Sequence, residues 1–184
     1  MTSAVKSQKF SILFDWFDQG RDGQLTQDDL RATADVFARV AAEDDHTNIT
    51  AMRDAFERWW QLLLRHGDTN GDGRLSRQEF IAVTEANVTA PEHFGGAVMA
   101  IIDALMNTLD TDRDGFLSRD EYVRMYDALG ISPERSGEAF TRLDLNGDGV
   151  ISHEEFRMAI SDFYLSTDPD APGNYMLGPI GTSA

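Results

Sequence analysis

Between Asp110 and Glu121 the chain reads DTDRDGFLSRDE, with carboxylates at the first, third, fifth and twelfth places, Gly115 at the sixth and Ser118 at the ninth. Outward from it, the same pattern returns as DTNGDGRLSRQE (Asp68–Glu79), as DLNGDGVISHEE (Asp144–Glu155) and, less faithfully, as DQGRDGQLTQDD (Asp18–Asp29). First places are separated by 50, 42 and 34 residues, so the copies are separate units with variable connections and not a solenoid. Asp, Asn and Gly are also the ordinary residues of solvated turns. Average residue usage, however, yields one full match in roughly one unrelated chain in ten thousand, and three full matches occur here.

A hard divalent cation such as calcium takes six to eight oxygens at about 2.3–2.6 Å, and a twelve-residue loop of this kind supplies them from places 1, 3, 5, 7, 9 and 12. The second loop offers Asp68, Asn70, Asp72 and Glu79, with the Arg74 carbonyl and Ser76. The third offers Asp110, Asp112, Asp114 and Glu121, with the Phe116 carbonyl and Ser118. The fourth offers Asp144, Asn146, Asp148 and Glu155, with the Val150 carbonyl and Ser152. Gly73, Gly115 and Gly149 stand where the sharp turn strains any side chain. Three calcium ions are expected in these loops. The first loop keeps Asp18, Asp22, Gln24 (through its carbonyl) and Thr26, but has Gly20 at the third place and Asp29 in place of Glu at the twelfth. The shorter Asp favours six-coordination and tolerance of magnesium. Two readings stay open for this loop: a fourth ion site, or a structural hand that braces the second loop.

Helical periodicity flanks every loop. Phe10, Leu13, Phe14 and Phe17 precede the first, and Trp60, Leu63 and Leu64 the second; Ile102, Leu105, Met106 and Leu109 precede the third, and Phe140 and Leu143 the fourth. Leu30 and Phe37, Phe80 and Val83, Tyr122, Met125 and Leu129, and Phe156, Ile160 and Phe163 follow them. Ser76, Ser118 and Ser152 each stand three residues before a Glu, the capping box that starts an exiting helix, and Thr26 with Asp29 is a weaker copy. TAPE at Thr89–Glu92 carries the same signature with Pro91 at the first helical place, so a new helix starts there and no single helix runs through the junction. A longer connection is expected around Ala42–Thr50. Apolar eighth places pair across short antiparallel bridges, Leu25 facing Leu75 and Leu117 facing Ile151. The reading is all-α: four helix-loop-helix units in two pairs, residues 1–88 and 89–165, packed into one compact globule, with an irregular tail over 166–184. Tyr175, Met176 and Leu177 of that tail either fold onto an apolar seam or stay disordered.

The chain has 184 residues and a formal charge of −16, from 32 acids against 16 bases. The ligand places hold 13 of the acids, leaving 19 against the 16 bases, so the acidity is concentrated in the loops. Such a balance opposes nucleic-acid phosphates and anionic membranes and selects cations as partners. With no Cys there is no disulfide framework, thiolate metal site or Cys nucleophile. No signal-peptide core or membrane-length apolar run is evident; a cytoplasmic monomer is expected, with no protein partner indicated.

With these residues in hand, the chain resembles the EF-hand superfamily, and within it the sarcoplasmic calcium-binding proteins and their bacterial calerythrin-like relatives. The resemblance rests on the four loops, the long first-to-second connection, FDWFDQGRDG near the N-terminus and DFYLSTDPDAPGN at Asp162–Asn174. It implies paired hands packed through their apolar faces and a calcium buffer or transporter. A sensor that opens a Met-rich groove is the alternative; the scattered placing of the 7 Met favours the buffer. An enzyme is not expected, because the loop pattern accounts for Asp110 and Asp112 better than a phosphotransferase nucleophile does. The related photoproteins hold a luciferin within His, Trp and Tyr clusters behind a C-terminal Pro; the 4 His and terminal Ala184 argue against that role. His46, His66, His93 and His153 read as surface or capping residues, and Trp16, Trp59 and Trp60 as core.

Overall fold

The structure, a computed structural model, describes residues 3–177. Helices α1 (Ala4–Phe17) and α2 (Gln27–Val40) flank the first loop, and α3 (His46–Gly67) and α4 (Arg77–Val83) the second. Helix α5 (Pro91–Phe94) passes through a π-helical turn at Gly95–Met99 into α6 (Ala100–Leu109) ahead of the third loop. Beyond it come α7 (Arg119–Ala128), α8 (Pro133–Leu143), the fourth loop and α9 (His153–Leu165). The four helix-loop-helix units thus stand as read, and the fold is all-α.

Local chemistry sets the helix starts. Thr26, Ser76, Ser118 and Ser152 each close a reciprocal capping box with the acid three residues on, so the first loop's box is as complete as the others. The TAPE segment behaves differently. Helix α5 does begin at Pro91, but its N-cap is Ala90 without a side-chain bond. Thr89 instead donates its hydroxyl to the Glu85 carbonyl, 2.7 Å away. The Thr89 amide donates to the Thr84 carbonyl at 3.1 Å and closes the π turn Thr84–Val88 at the end of α4, and the chain turns between the two helices. The connection after α2 is shorter than expected, because Asp45 caps α3 by accepting from the Asn48 amide at 3.3 Å and so starts that helix inside the stretch read as loop.

Two antiparallel bridges join the loops. Strand β1 (Gln24–Leu25) lies on β2 (Leu75–Ser76), with Leu25 opposite Leu75; β3 (Phe116–Ser118) lies on β4 (Val150–Ser152), with Leu117 opposite Ile151. All four apolar partners are fully buried. Beneath the bridges the apolar helix faces form one core. Phe17 packs on Trp59 at 4.9 Å between ring centroids, and Tyr122 on Phe140 at 5.7 Å. Trp16 meets Tyr126 at 5.7 Å and Phe10 meets Tyr164 at 5.9 Å, so the two loop pairs share aromatic contacts. Helix α3 lies against α6, α2 against α7 and α1 against α9.

The tail after α9 is described from Ser166 to Leu177. It makes a short 3₁₀ turn at Pro172–Tyr175 and buries Met176 and Leu177, which selects the apolar-seam reading for Met176 and Leu177; Tyr175 lies under the Arg142 guanidinium, 3.8 Å from ring centroid to Cζ. Its anchor is Lys9, a fully buried lysine of α1. The Lys9 ammonium donates to the Asp162 and Ser166 carbonyls and to Asn174 Oδ1, at 3.2, 2.7 and 3.0 Å. All three ammonium donors are thereby used, which is the condition for burying such a charge. Gly173 lies so close to α9 that a Cβ would fall 2.1 Å from the Ala159 carbonyl oxygen. Residues 178–184 of the predicted tail lie outside the described residues.

Candidate metal centres

Each loop is built around its first aspartate. Asp18, Asp68, Asp110 and Asp144 all accept at one carboxylate oxygen from the sixth-place glycine amide at 2.9 Å, and at the other from the fifth-place amide at 3.1–3.2 Å. Two donated N–H groups fix the orientation of the carboxylate and require the chain to curl tightly. That curl places left-handed residues not only at the sixth place but also at the fourth: Arg21, Gly71, Arg113 and Gly147, with φ of 52°, 75°, 61° and 72°. The ligand pattern alone assigns no role to the fourth place. The glycines at 71 and 147 were its available signal, whereas the two arginines concealed it.

The fifth-place acids hold the next step of the turn. Asp22, Asp72, Asp114 and Asp148 each accept from the amide two residues on, at 2.8–3.1 Å. This orients the seventh residue so that its side chain leaves the loop, as shown by Phe116, which stays 40% exposed. In the third loop Asp110, Asp112 and Asp114 each present a carboxylate oxygen within 4.8 Å of the others. Three converging anionic oxygens with neither nitrogen nor sulfur among them fit a hard divalent cation.

The twelfth-place acid closes each loop. Glu79, Glu121 and Glu155 accept at one oxygen from the ninth-place serine amide and hydroxyl. Their second oxygen reaches back to the loop's start. Glu79 takes the Thr69 hydroxyl at 2.6 Å, Glu121 the Thr111 hydroxyl at 2.7 Å, and Glu155 the Leu145 amide at 3.0 Å. The threonine hydroxyl first, then the serine, draws the Glu79 carboxyl down to about 2. For Glu121 burial pushes upward, but hydrogen bonds from Thr111 and Ser118 prevail and hold it below the ordinary carboxylate range. Both are anions at neutral pH, as cation binding requires. The second-place threonines are the other feature that ligand spacing alone did not bring out.

The first loop follows the same plan on a smaller scale. Asp29 accepts from the Thr26 amide and hydroxyl at one oxygen and from the Gly20 amide, at 3.0 Å, at the other. A Cβ at Gly20 would stand 3.5 Å from Asp29 Oδ1 and 3.9 Å from Asp18 Oδ1, so the place that Asn70, Asp112 and Asn146 fill in the other loops faces the acidic centre here as well.

Comparison with known proteins agrees with this architecture. A family model described as an EF-hand domain pair matches residues 8–85, and one described as an EF hand matches residues 101–126 and 138–160. Calerythrin of Saccharopolyspora erythraea is 28% identical over 168 residues, spanning 90% of this chain and 95% of calerythrin. A Streptomyces coelicolor calcium-binding protein of solved structure is 25% identical with a TM-score of 0.72, over 86% of this chain and 97% of its own. The sarcoplasmic calcium-binding protein of amphioxus shares the fold, at 19% identity and a TM-score of 0.74, over 97% of this chain and 98% of its own. Matched along both loop pairs by these family models, the chain belongs to the EF-hand family of calcium-binding proteins.

Proposed function

We propose that the chain is an intracellular calcium buffer with no catalytic role, binding ions in its second, third and fourth loops through the side chains and carbonyls named from the sequence, with a weaker, magnesium-tolerant first loop. Residues 1–88 and 89–165 act on this reading as two coupled pairs, since each bridge ties the eighth places of two loops together. The observation that carries the buffer role is closure. A sensor pair opens a Met-rich groove on binding; here the apolar faces that would line one are packed between the two pairs and under the tail, with Met52, Met99, Met106, Met125 and Met176 buried and Met158 exposed. The tail lies over the seam between the pairs. The cavity left there is about 60 Å³, far below the 300–1,000 Å³ of typical small-molecule sites, which counts against a luciferin-holding role. Among the described residues no helix is long and apolar enough to cross a membrane.

The sensor remains the second reading because the Streptomyces coelicolor relative is described in terms of prokaryotic calcium-mediated regulation. Small-angle scattering of calcium-free and calcium-loaded protein, with apolar-dye binding and calorimetric stoichiometry, separates the two. A buffer takes up three or four ions while the loaded form stays compact and dye-silent. A loaded form that extends or captures dye is a sensor.

A further inference from the structure

His66 stands on the last turn of α3 and His93 on α5, on opposite sides of the turn at Thr89–Ala90. The fold brings them together, with ring centroids 5.5 Å apart and planes inclined at 43°. The Nδ1 of His93 lies 3.1 Å from the Asn87 carbonyl oxygen. A carbonyl only accepts, so that nitrogen carries the proton, and in the neutral ring the lone pair is left on Nε2. A backbone carbonyl behind one ring nitrogen is how proteins orient histidines that ligate metals through the other. The carbonyl is itself fixed, because Asn87 belongs to the π turn at Thr84–Val88 and accepts from the Ala90 amide at 3.2 Å.

The spacing suits one shared ion. Zinc sits about 2.0–2.1 Å from an imidazole nitrogen, hence about 3.2 Å from the ring centroid, so two rings on a tetrahedral ion have centroids about 5 Å apart. We propose that His66 and His93 form a two-imidazole site for a borderline divalent transition cation of the zinc or copper class, beside the second calcium loop but with donors of its own. Nitrogen donors suit those metals and not calcium, so the two kinds of site do not compete. Water completes the coordination from a cleft of about 340 Å³ beside His66, lined also by Thr69, Gln78 and Glu79. An ion held there staples the helix entering the second loop to the helix that opens the next unit.

The test uses the full chain saturated with calcium and titrated calorimetrically with zinc chloride. The expected result is one zinc site in the parent that weakens at least tenfold in His66→Gln and in His93→Gln, with calcium stoichiometry unchanged in both. A zinc isotherm that either substitution leaves unaltered overturns the proposal, as does absence of zinc binding by the calcium-saturated parent. Paramagnetic resonance of one equivalent of copper(II) on the unsubstituted chain needs no variant to fold: coupling to two imidazole nitrogens supports the site, and a spectrum without nitrogen coupling overturns it.

Discussion

At the scale of single residues, the four loops differ by few atoms, and Gly20 isolates the effect of one ligand. Its φ lies outside the left-handed region, so a side chain meets no backbone penalty there, and its Cβ direction faces Asp18 and Asp29. Gly20→Asp therefore adds a third-place carboxylate to a loop otherwise of the right form. Without metal the extra charge crowds Asp18, Asp22 and Asp29, and the calcium-free melting temperature falls by a few degrees. With calcium the same charge becomes a ligand, and affinity at this loop rises about tenfold, equivalent to ~1.4 kcal/mol. Calorimetry with the other loops saturated measures it. An unchanged isotherm would mean that the first loop is a brace and not a site.

The scale of elements is where Lys9 acts. This one side chain ties the middle of α1 to the C-terminal end of α9 and to the tail turn. Lys9→Met fits the space but leaves two helix-end carbonyls and Asn174 Oδ1 without that donor, a loss of about 2–3 kcal/mol in urea unfolding of the loaded protein. Burial, reinforced by Lys6 and opposed by Asp162, lowers the Lys9 ammonium from 10.5 to about 8. Below pH 8 the folded and unfolded chains both hold that proton. Between 8 and 10.5 the unfolded chain holds it more, so the parent gains stability with rising pH relative to Lys9→Met. Parallel pH slopes for the two proteins would refute the burial of the charge. Nothing in the sequence marked Lys9, since its three acceptors are two carbonyls and an amide more than 150 residues away. The loop ligands were legible because they lie within twelve residues of one another, where spacing alone fixes geometry. The same contrast holds for Leu25 and Leu75, whose pairing follows from the loop pattern, against His66 and His93, whose approach depends on how the chain turns at Thr89 and Ala90.

For the whole molecule, charge decides how strongly calcium and fold depend on each other. The chain carries −16, and that charge is clustered, since every loop gathers several carboxylates on one turn. Backbone amides and threonine hydroxyls hold these oxygens in place, but they donate partial charge only, and the net repulsion remains. Three divalent ions reduce the formal charge from −16 to −10, and they do so where the repulsion is concentrated. Binding to the folded chain alone adds stability by mass action, growing by about 1.4 kcal/mol for each tenfold excess over the dissociation constant at each site. Dissolved salt relieves the same repulsion less specifically, since 0.1 M screens beyond about 10 Å. The calcium-free protein should therefore melt higher as sodium chloride rises from 10 to 300 mM. The calcium-loaded protein should melt well above it throughout and respond to salt weakly or in the opposite sense, because its loop charges are already neutralised and salt also weakens the attraction for calcium. Scanning calorimetry at both salt levels, with chelator and with calcium, measures all four combinations. An equal salt response in the two forms would locate the repulsion outside the loops and remove the electrostatic link between ion and fold.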